Sequence, residues 1–356
     1  MKPFIAHHPR INFIALAISF LSSSNAHAQW FRSLDVPVDP RNVASGESFV
    51  GVNGDASSYM YNPSSISSLH GLTILYGRRN MGYVENFRDF KFESIAATCS
   101  TSFGNLGLFY HRFTTGDYPG FEDSRDPIVH NDQDYTAGIV FARAITGGLA
   151  GGVTLKTFEE AETVVGLSRF ETVQQPMLFD FGVLYTFTSR MRSKPQLSVG
   201  ISLQNLGTKL VKRTSSAFTS PTEMLVDEVV SLPCYLRTGF SFRLQITPQH
   251  EGDLTPFTVL ITGAYRGLIN SPVGGSQDIV WGVGGEFSIY EILSLRFGQQ
   301  SQSSDDPRYG IGIMLPISRM GIGQSLTLRV DYAAIPYRSS TVKAYSIGLN
   351  YEDNLF

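Results

Sequence analysis

Phe179-Asp180-Phe181-Gly182-Val183-Leu184-Tyr185-Thr186-Phe187 and, after a short interval, Leu197-Ser198-Val199-Gly200-Ile201-Ser202-Leu203-Gln204 decide how this chain is read. Apolar residues fill every second position: Phe179, Phe181, Val183, Tyr185 and Phe187 in the first run, Leu197, Val199, Ile201 and Leu203 in the second. Successive side chains of a strand point to opposite faces, so each run has one greasy face and one mostly polar face. Further along, Leu326, Leu328, Val330 and Tyr332 alternate in the same way with Ser325, Thr327, Arg329 and Asp331.

Outward from these runs, the pattern recurs from residue 71 to the end of the chain. Fourteen alternating segments fall near 71–80, 88–101, 104–114, 133–145, 148–158, 177–190, 195–206, 233–246, 255–267, 277–290, 292–301, 307–317, 323–335 and 340–352. The second is the poorest, because Lys91 and Glu93 interrupt it. An even number suits a closed bacterial barrel. A soluble sandwich or propeller also alternates, but its strands average about 5–6 residues, whereas a tilted membrane strand needs about 9–11. Connections are short after segments 2, 4, 6, 10 and 12 and long after 3, 5 and 7, over 115–132, 159–176 and 207–232. Short inner turns with long outer loops are the asymmetry of an outer-membrane barrel, with both chain ends on the periplasmic side. Tyr76, Tyr135, Tyr265, Tyr309, Tyr332 and Tyr351 stand near segment ends, where interfacial girdles form. The expected fold is all-β: a closed antiparallel transmembrane β-barrel of about 14 strands over residues 71–356.

Composition agrees. The 356 residues are 42% hydrophobic and only 17% charged, with 34 Gly and a net charge of -3. Such a chain is too apolar for disorder, and it has no basic footprint for nucleic acid. After the first 30 residues no run approaches the roughly 18 apolar residues of a spanning helix. Lys2 and Arg10, the apolar run 11–21 and Ala26-His27-Ala28 read as a signal peptide over residues 1–28, cleaved before Gln29. The destination is then the outer membrane of a Gram-negative-type bacterium. Export brings an oxidising compartment, but Cys99 and Cys234 fall at opposite ends of their strands and are expected to remain free.

Residues 29–70 do not alternate. They include Ala44-Ser45-Gly46-Glu47-Ser48-Phe49-Val50-Gly51-Val52-Asn53-Gly54-Asp55-Ala56, then Tyr59-Met60-Tyr61-Asn62-Pro63-Ser64. Gly and small residues allow close backbone approach, and Asn-Pro marks a turn. From the residues alone, a plug folded into the barrel and a loose periplasmic arm remain equally open. Gly46, Gly51, Asp55, Ala56 and Asn62-Pro63-Ser64 resemble the N-terminal hatch of FadL-type outer-membrane proteins, and more closely that of the PorV/PorQ family. Ser64 replaces the usual Ala, and Glu47-Ser48 stand where Gly-Ala is common. Phe179 to Tyr185, Gln204-Asn205-Leu206-Gly207 and Leu232-Pro233 with Arg237-Thr238-Gly239-Phe240 are similar to further stretches of that family, in the same order. The resemblance implies an N-terminal hatch, residues 29–70, in the lumen of a fourteen-stranded barrel.

The polar face carries charge. Arg237, Arg243, Arg266, Glu286, Arg296, Arg329 and Asp331 are all expected to point into the barrel, since an Arg facing lipid at the midplane costs about 2–4 kcal/mol. The hairpin around Glu291 must pair Phe287 with Leu295 and Ile289 with Leu293 outside, which sets Glu286 opposite Arg296 inside. Arg243, Arg296 and Arg329 fall on the periplasmic half, where hatch acids Asp39, Glu47 or Asp55 would dock; satisfaction by wall acids alone is the equal alternative.

No catalytic constellation is present. There is no Gly-x-Ser-x-Gly elbow, Walker loop or His-Glu-x-x-His, and His70, His111, His130 and His250 stand singly. Glu122-Asp123-Ser124-Arg125-Asp126 and Ser303-Ser304-Asp305-Asp306 read as solvated loop charge, and Ser220-Pro221-Thr222-Glu223 as the start of a short outer helix. The terminal Phe356 is out of phase with Tyr345, Ile347, Leu349 and Tyr351. The expectation is a non-enzyme without metal or cofactor, embedded in outer-membrane lipid and not binding nucleic acid. The resemblance implies a component associated with type IX protein secretion, partnered by secreted proteins or secretion-system subunits. Its alternative is a FadL-like passive transporter of fatty acids or other hydrophobic small molecules. An apolar lumen pocket of about 300 Å³ or more favours transport, and a lumen filled by hatch and charge pairs favours secretion.

Overall fold

The computed structural model describes residues 32–80, 90–119, 129–164, 168–187, 195–216, 224–246, 255–270, 279–301, 307–317, 325–337 and 340–352. The signal segment, the two acidic loop stretches, Ser220 to Glu223, His250 and Phe356 lie outside the described residues.

Eighteen strands form one sheet. Fourteen make the wall: β1 (Leu72–Asn80), β2 (Lys91–Thr101), β3 (Gly104–Thr114), β5 (Val129–Thr146), β6 (Leu149–Val164), β8 (Met177–Phe187), β9 (Gln196–Gly207), β12 (Cys234–Gln245), β13 (Phe257–Asn270), β14 (Val280–Ile289), β15 (Leu293–Gln300), β16 (Arg308–Pro316), β17 (Leu326–Tyr337) and β18 (Ser340–Tyr351). Every pairing is antiparallel, and β18 returns to β1 with Tyr351 opposite Leu72, so the sheet closes. The alternation that named the strands also sets their faces. Along β8 every odd residue from Met177 to Phe187 is exposed and every even one buried. Phe181 is 48% exposed and Val199 41%, a greasy outer surface that only lipid or another apolar medium would cover. Both cysteines are free.

The four remaining strands are β4 (Tyr118–Pro119), β7 (Ser168–Gln174), β10 (Leu210–Ser216) and β11 (Met224–Val230). They occupy the connections expected as long loops. β6 runs past β8 to pair with β7, which pairs with β10, which pairs with β11. The wall therefore continues beyond the apolar belt. Its extension escapes a search for alternation because above the lipid neither face has to be apolar: β6 ends in Phe158-Glu159-Glu160-Ala161-Glu162-Thr163-Val164.

Residues 32–70 contain two short helices, Arg32–Asp35 and Pro40–Ala44, and the 3-10 turns Phe49–Gly51, Ser58–Met60 and Pro63–Ser68. Asp39 caps the second helix, accepting from the Arg41 and Asn42 amides, with Pro40 at the first helical position. The segment is buried against the inward face of the wall. Phe49, Val50, Val52 and Tyr61 pack with Leu260 of β13, and Tyr59 and Ile66 with Ala96, Phe109, Val140 and Ala142 of β2, β3 and β5.

Candidate lumen site

The close approach of segment and wall rests on missing side chains. A Cβ on Gly200 would lie 2.1 Å from the Val50 carbonyl oxygen, and one on Gly182 would lie 2.0 Å from Asn62 Oδ1. Into that gap fits the side chain of Asn62, fully buried. Its Nδ2 donates to the carbonyls of Val50 and Val183, both at 3.1 Å, and its Oδ1 accepts from the Ser64 amide at 3.1 Å and Ser64 Oγ at 2.6 Å. One amide thus staples the segment to itself and to β8. Ser64 supplies a hydrogen bond that an Ala there would lack. Gly46, at φ +68, passes so near β14 and β15 that a Cβ would meet the Val283 and Gln299 carbonyl oxygens. Gly51 lies similarly against Phe240, and Ala56 is buried beside Asp55.

Toward the short-turn end, a chain of ion pairs joins segment and wall. Arg41 grips Glu286 bidentately (Nε to Oε2 and Nη2 to Oε1, both 2.7 Å) and gives Nη1 to Asp55 Oδ2 at 2.6 Å. The β14–β15 register sets Glu286 opposite Arg296, and Arg296 Nε meets Glu286 Oε2 at 2.6 Å. Arg296 Nη1 reaches Asp331 Oδ1 at 2.5 Å, and Asp331 also takes Nε of Arg329. Arg329 closes the chain onto the segment, with Asp55 at 3.3 Å and Asp39 at 3.4 Å. Asp55 Oδ1 is held in turn by the Ser57 amide and hydroxyl.

Burial alone would raise the Asp55 carboxyl, but Arg41, Arg329 and the Ser57 hydrogen bonds outweigh it and hold the group well below the ordinary carboxylate range. Asp39 goes the other way. Burial, with Asp55 and Asp331 adding repulsion against the pull of Arg329, pushes it up from 3.8 to about 6.

Of the three arginines expected to receive hatch acids, only Arg329 does. Arg296 is held by the wall acids Glu286 and Asp331, and Arg243 has no hydrogen-bonded or ion-paired partner among the described residues. Glu47 goes instead to Arg308 at 2.8 Å and Arg79 at 3.5 Å, with Gln300 Nε2 at 3.1 Å. The sequence reading missed Arg41, a cation of the segment seated on a wall acid. Its neighbour Asp39-Pro40 marks the helix start but says nothing of where the guanidinium points.

Toward the long-loop end, single hydrogen bonds and apolar packing hold the segment. The Ser33 amide donates to Asp134 Oδ1 at 2.7 Å, Arg79 Nη1 to the Pro37 carbonyl at 3.1 Å and Tyr235 to Asp35 Oδ2 at 2.6 Å, and the guanidinium of Arg266 lies 4.8 Å over the Tyr235 ring. Arg237 lies 5.5 Å from the Tyr61 ring centroid. Leu34 packs with Phe158, Leu178, Leu210, Val230 and Leu232 in an apolar cluster, and Val36 and Val38 with Phe90, Phe92 and Phe113 in another. Lys156 and Asp180 pair at 2.7 Å beside the bulge where Asn205, at φ 62, gives its amide to Asp180. Between Glu47, Gln300, Arg237 and Arg266 a cavity of about 10 Å³ remains. A larger one of about 260 Å³, beside Asn53, Ser68 and the β5–β6 turn, opens at the short-turn end. Among the described residues, no three His, Cys, Asp or Glu side chains are grouped to hold a metal.

No protein-family model matches the sequence, and comparison with curated proteins finds no match. Solved structures do match in fold. The toluene transporter TbuX of Ralstonia pickettii superposes with a TM-score of 0.58 at 11% identity, over 91% of this chain and 100% of its own. The toluene transporter TodX of Pseudomonas putida gives 0.53 at 10%, over 89% of this chain and 98% of its own. The monoaromatic hydrocarbon channel CymD gives 0.51 at 10%, over 90% and 98%. The fold is therefore a closed fourteen-stranded antiparallel barrel like those of outer-membrane hydrocarbon transporters. These likenesses give the PorV/PorQ refinement of the resemblance no support.

Proposed function

We propose that this protein is a passive outer-membrane conduit for small hydrophobic solutes, fatty acids among them, with residues 29–70 as its hatch. In this reading residues 1–28 are removed as an export signal and residues 71–356 form the barrel. The carrying observation is the combination of a fourteen-stranded wall with an N-terminal segment clamped in its lumen by Arg41, Asp55 and Arg329. The wall's likeness to toluene transporters over nine-tenths of the chain supports it, as does the apolar cluster around Leu34 and Phe158 in the outer half. Solute passage then requires the segment to shift, because the described lumen is occupied by it.

That occupied lumen favours a second reading, a PorV/PorQ-like accessory of type IX secretion whose rim engages exported proteins or secretion subunits. The cavity beside Arg237 and Arg266 measures about 10 Å³, close to the volume of one water, far below what a hydrophobic solute fills. A deletion strain assayed for uptake of labelled toluene and octanoate, and for its secreted-protein profile, separates the two. Reduced uptake with unchanged secretion is the expected result; unchanged uptake with an altered secretome transfers the assignment to secretion.

A further inference from the structure

Arg237 of β12 and Arg266 of β13 stand directly opposite each other in the register, both on the inner face. Like charges in that relation repel, and burying them deepens the cost. Arg237 is only 8% exposed. Both guanidinia stack on Tyr235, Arg266 at 4.8 Å and Arg237 at 5.7 Å, which covers their faces and leaves their edges as the only hydrogen-bonding surface. Part of each edge is unmet: Nε of Arg237 and Nε of Arg266 are both buried without a partner. The buried hydroxyl of Tyr61, whose ring lies under Arg237, is unpartnered as well.

The surrounding charges do not balance. Four guanidinia, Arg79, Arg237, Arg266 and Arg308, surround the carboxylates of Glu47 and Asp35 at this end of the lumen, beside the self-paired Lys156 and Asp180. Glu47 is committed to Arg308 and Arg79. Asp35 is bonded by Tyr235 through Oδ2 and its buried Oδ1 has no partner; it attracts both arginines from beyond bonding range, and among the described residues no carboxylate lies within ion-pair distance of Arg237 or Arg266. The cavity both arginines line measures about 10 Å³, room for one water-sized particle. A buried and a half-buried guanidinium side by side, two unmet buried Nε donors and a space of about one water together specify an occupant carrying a single compact negative charge.

We propose that Arg237 and Arg266 form a binding site for one small monovalent anion, which neutralises their mutual repulsion. The site goes beyond the transport reading and does not depend on it. Two sources supply the same chemistry: a free halide, or the carboxylate of an organic anion presented head-first.

The test uses the purified full-length protein in detergent. Its thermal midpoint is followed while bromide replaces methanesulfonate at constant ionic strength, and in a second arm while octanoate does so. A saturable rise of about 5 °C is expected at saturating anion. The rise is lost in Arg237→Gln and in Arg266→Gln and kept in Arg243→Gln, a lumen arginine outside the site. A rise with bromide alone assigns a halide; a rise with octanoate that bromide competes away assigns a carboxylate head group. Either supports the site. Wild-type crystals, which need no variant to fold, should show an anomalous bromide peak between the two guanidinia in bromide or ordinary difference density for a carboxylate there in octanoate. No rise with either anion, or a rise that survives in both glutamine variants, overturns the proposal. Because the readout is binding and not uptake, its failure leaves the transport reading untouched.

Discussion

Toward the short-turn end of the lumen, Arg41, Arg296 and Arg329 meet Asp39, Asp55, Glu286 and Asp331 in one bonded chain; toward the long-loop end, Arg237 and Arg266 lie on tyrosine rings with no carboxylate bonded to either. The same segment threads both regions. Where it is clamped, directional charge-assisted bonds fix one geometry, and each partner lost strands a buried charge. Where it is packed, Leu34, Val36 and Val38 rest on apolar side chains whose contacts are non-directional and re-form after small shifts. In the proposed conduit, a hatch that yields would need both kinds of hold, one to set the closed position and one to allow departure from it. The contrast can be tested from its strongest element downward.

Arg41→Ala should have the largest effect. It leaves Glu286 with Arg296 alone and Asp55 with Arg329 alone, and breaking such a buried pair costs about 3–5 kcal/mol. Amide exchange over residues 40–58 should accelerate by at least about 100-fold. Exchange in β8 and β12 should stay unchanged. Equal acceleration in the wall would mean that the clamp holds the barrel and not the segment.

Gly200→Val comes next. The new side chain would need the space of the Val50 carbonyl, so the segment must withdraw from β8 and β9 at a cost of about 1–3 kcal/mol. Limited proteolysis between Phe49 and Tyr61 reads this out, with an intact barrel judged by its heat-modifiable migration on gels. Asn62→Ala should follow at a similar or smaller cost, about 1–3 kcal/mol, because it strands the Val50 and Val183 carbonyls without adding bulk. If Asn62→Ala were the more damaging of the two, the hydrogen bonds and not the close approach would anchor the segment.

The wall was legible in the sequence because its surroundings constrain it twice over. Apolar medium outside demands a greasy residue at every second place, and the pleat then fixes both register and inward face, down to Glu286 opposite Arg296. Beyond the belt that constraint lapses, and β7, β10 and β11 were read as loops. The lumen contacts were only half legible. Which arginine takes which acid depends on the path of residues 39–62 through space, so Glu47 was matched to the wrong arginines and Arg41 went unnoticed. One usable signal was present: Gly200 faces Gly239 and Gly284 faces Gly298 across neighbouring strands, all on the inner side. Inward glycines paired across a wall mean that another backbone presses against it.

The smallest expected effect is also the most specific, and it concerns one carboxylate of the clamp. Asp39 Oδ1 accepts from the Arg41 amide of the helix it caps and from Arg329, and its Oδ2 is buried with no partner. An ionised carboxylate with a bare buried oxygen is costly, which is why Asp39 keeps its proton up to about 6 when docked, against 3.8 when free. The docked form therefore binds the proton more tightly than the undocked form, so this group's contribution is full below about 4 and is lost as pH rises through about 6. Asp55, shifted downward, works oppositely and weakens docking only in stronger acid. The thermal midpoint in detergent should thus fall by a few degrees between pH 4.5 and 7.5. Asp39→Asn keeps the helix cap, since Asn caps as well as Asp, but has no proton to lose, and its midpoint should fall less over the same range, by what Asp35 still contributes. A slope undiminished in Asp39→Asn would move the titration to another group, Asp35 first, since burial raises that carboxyl as well.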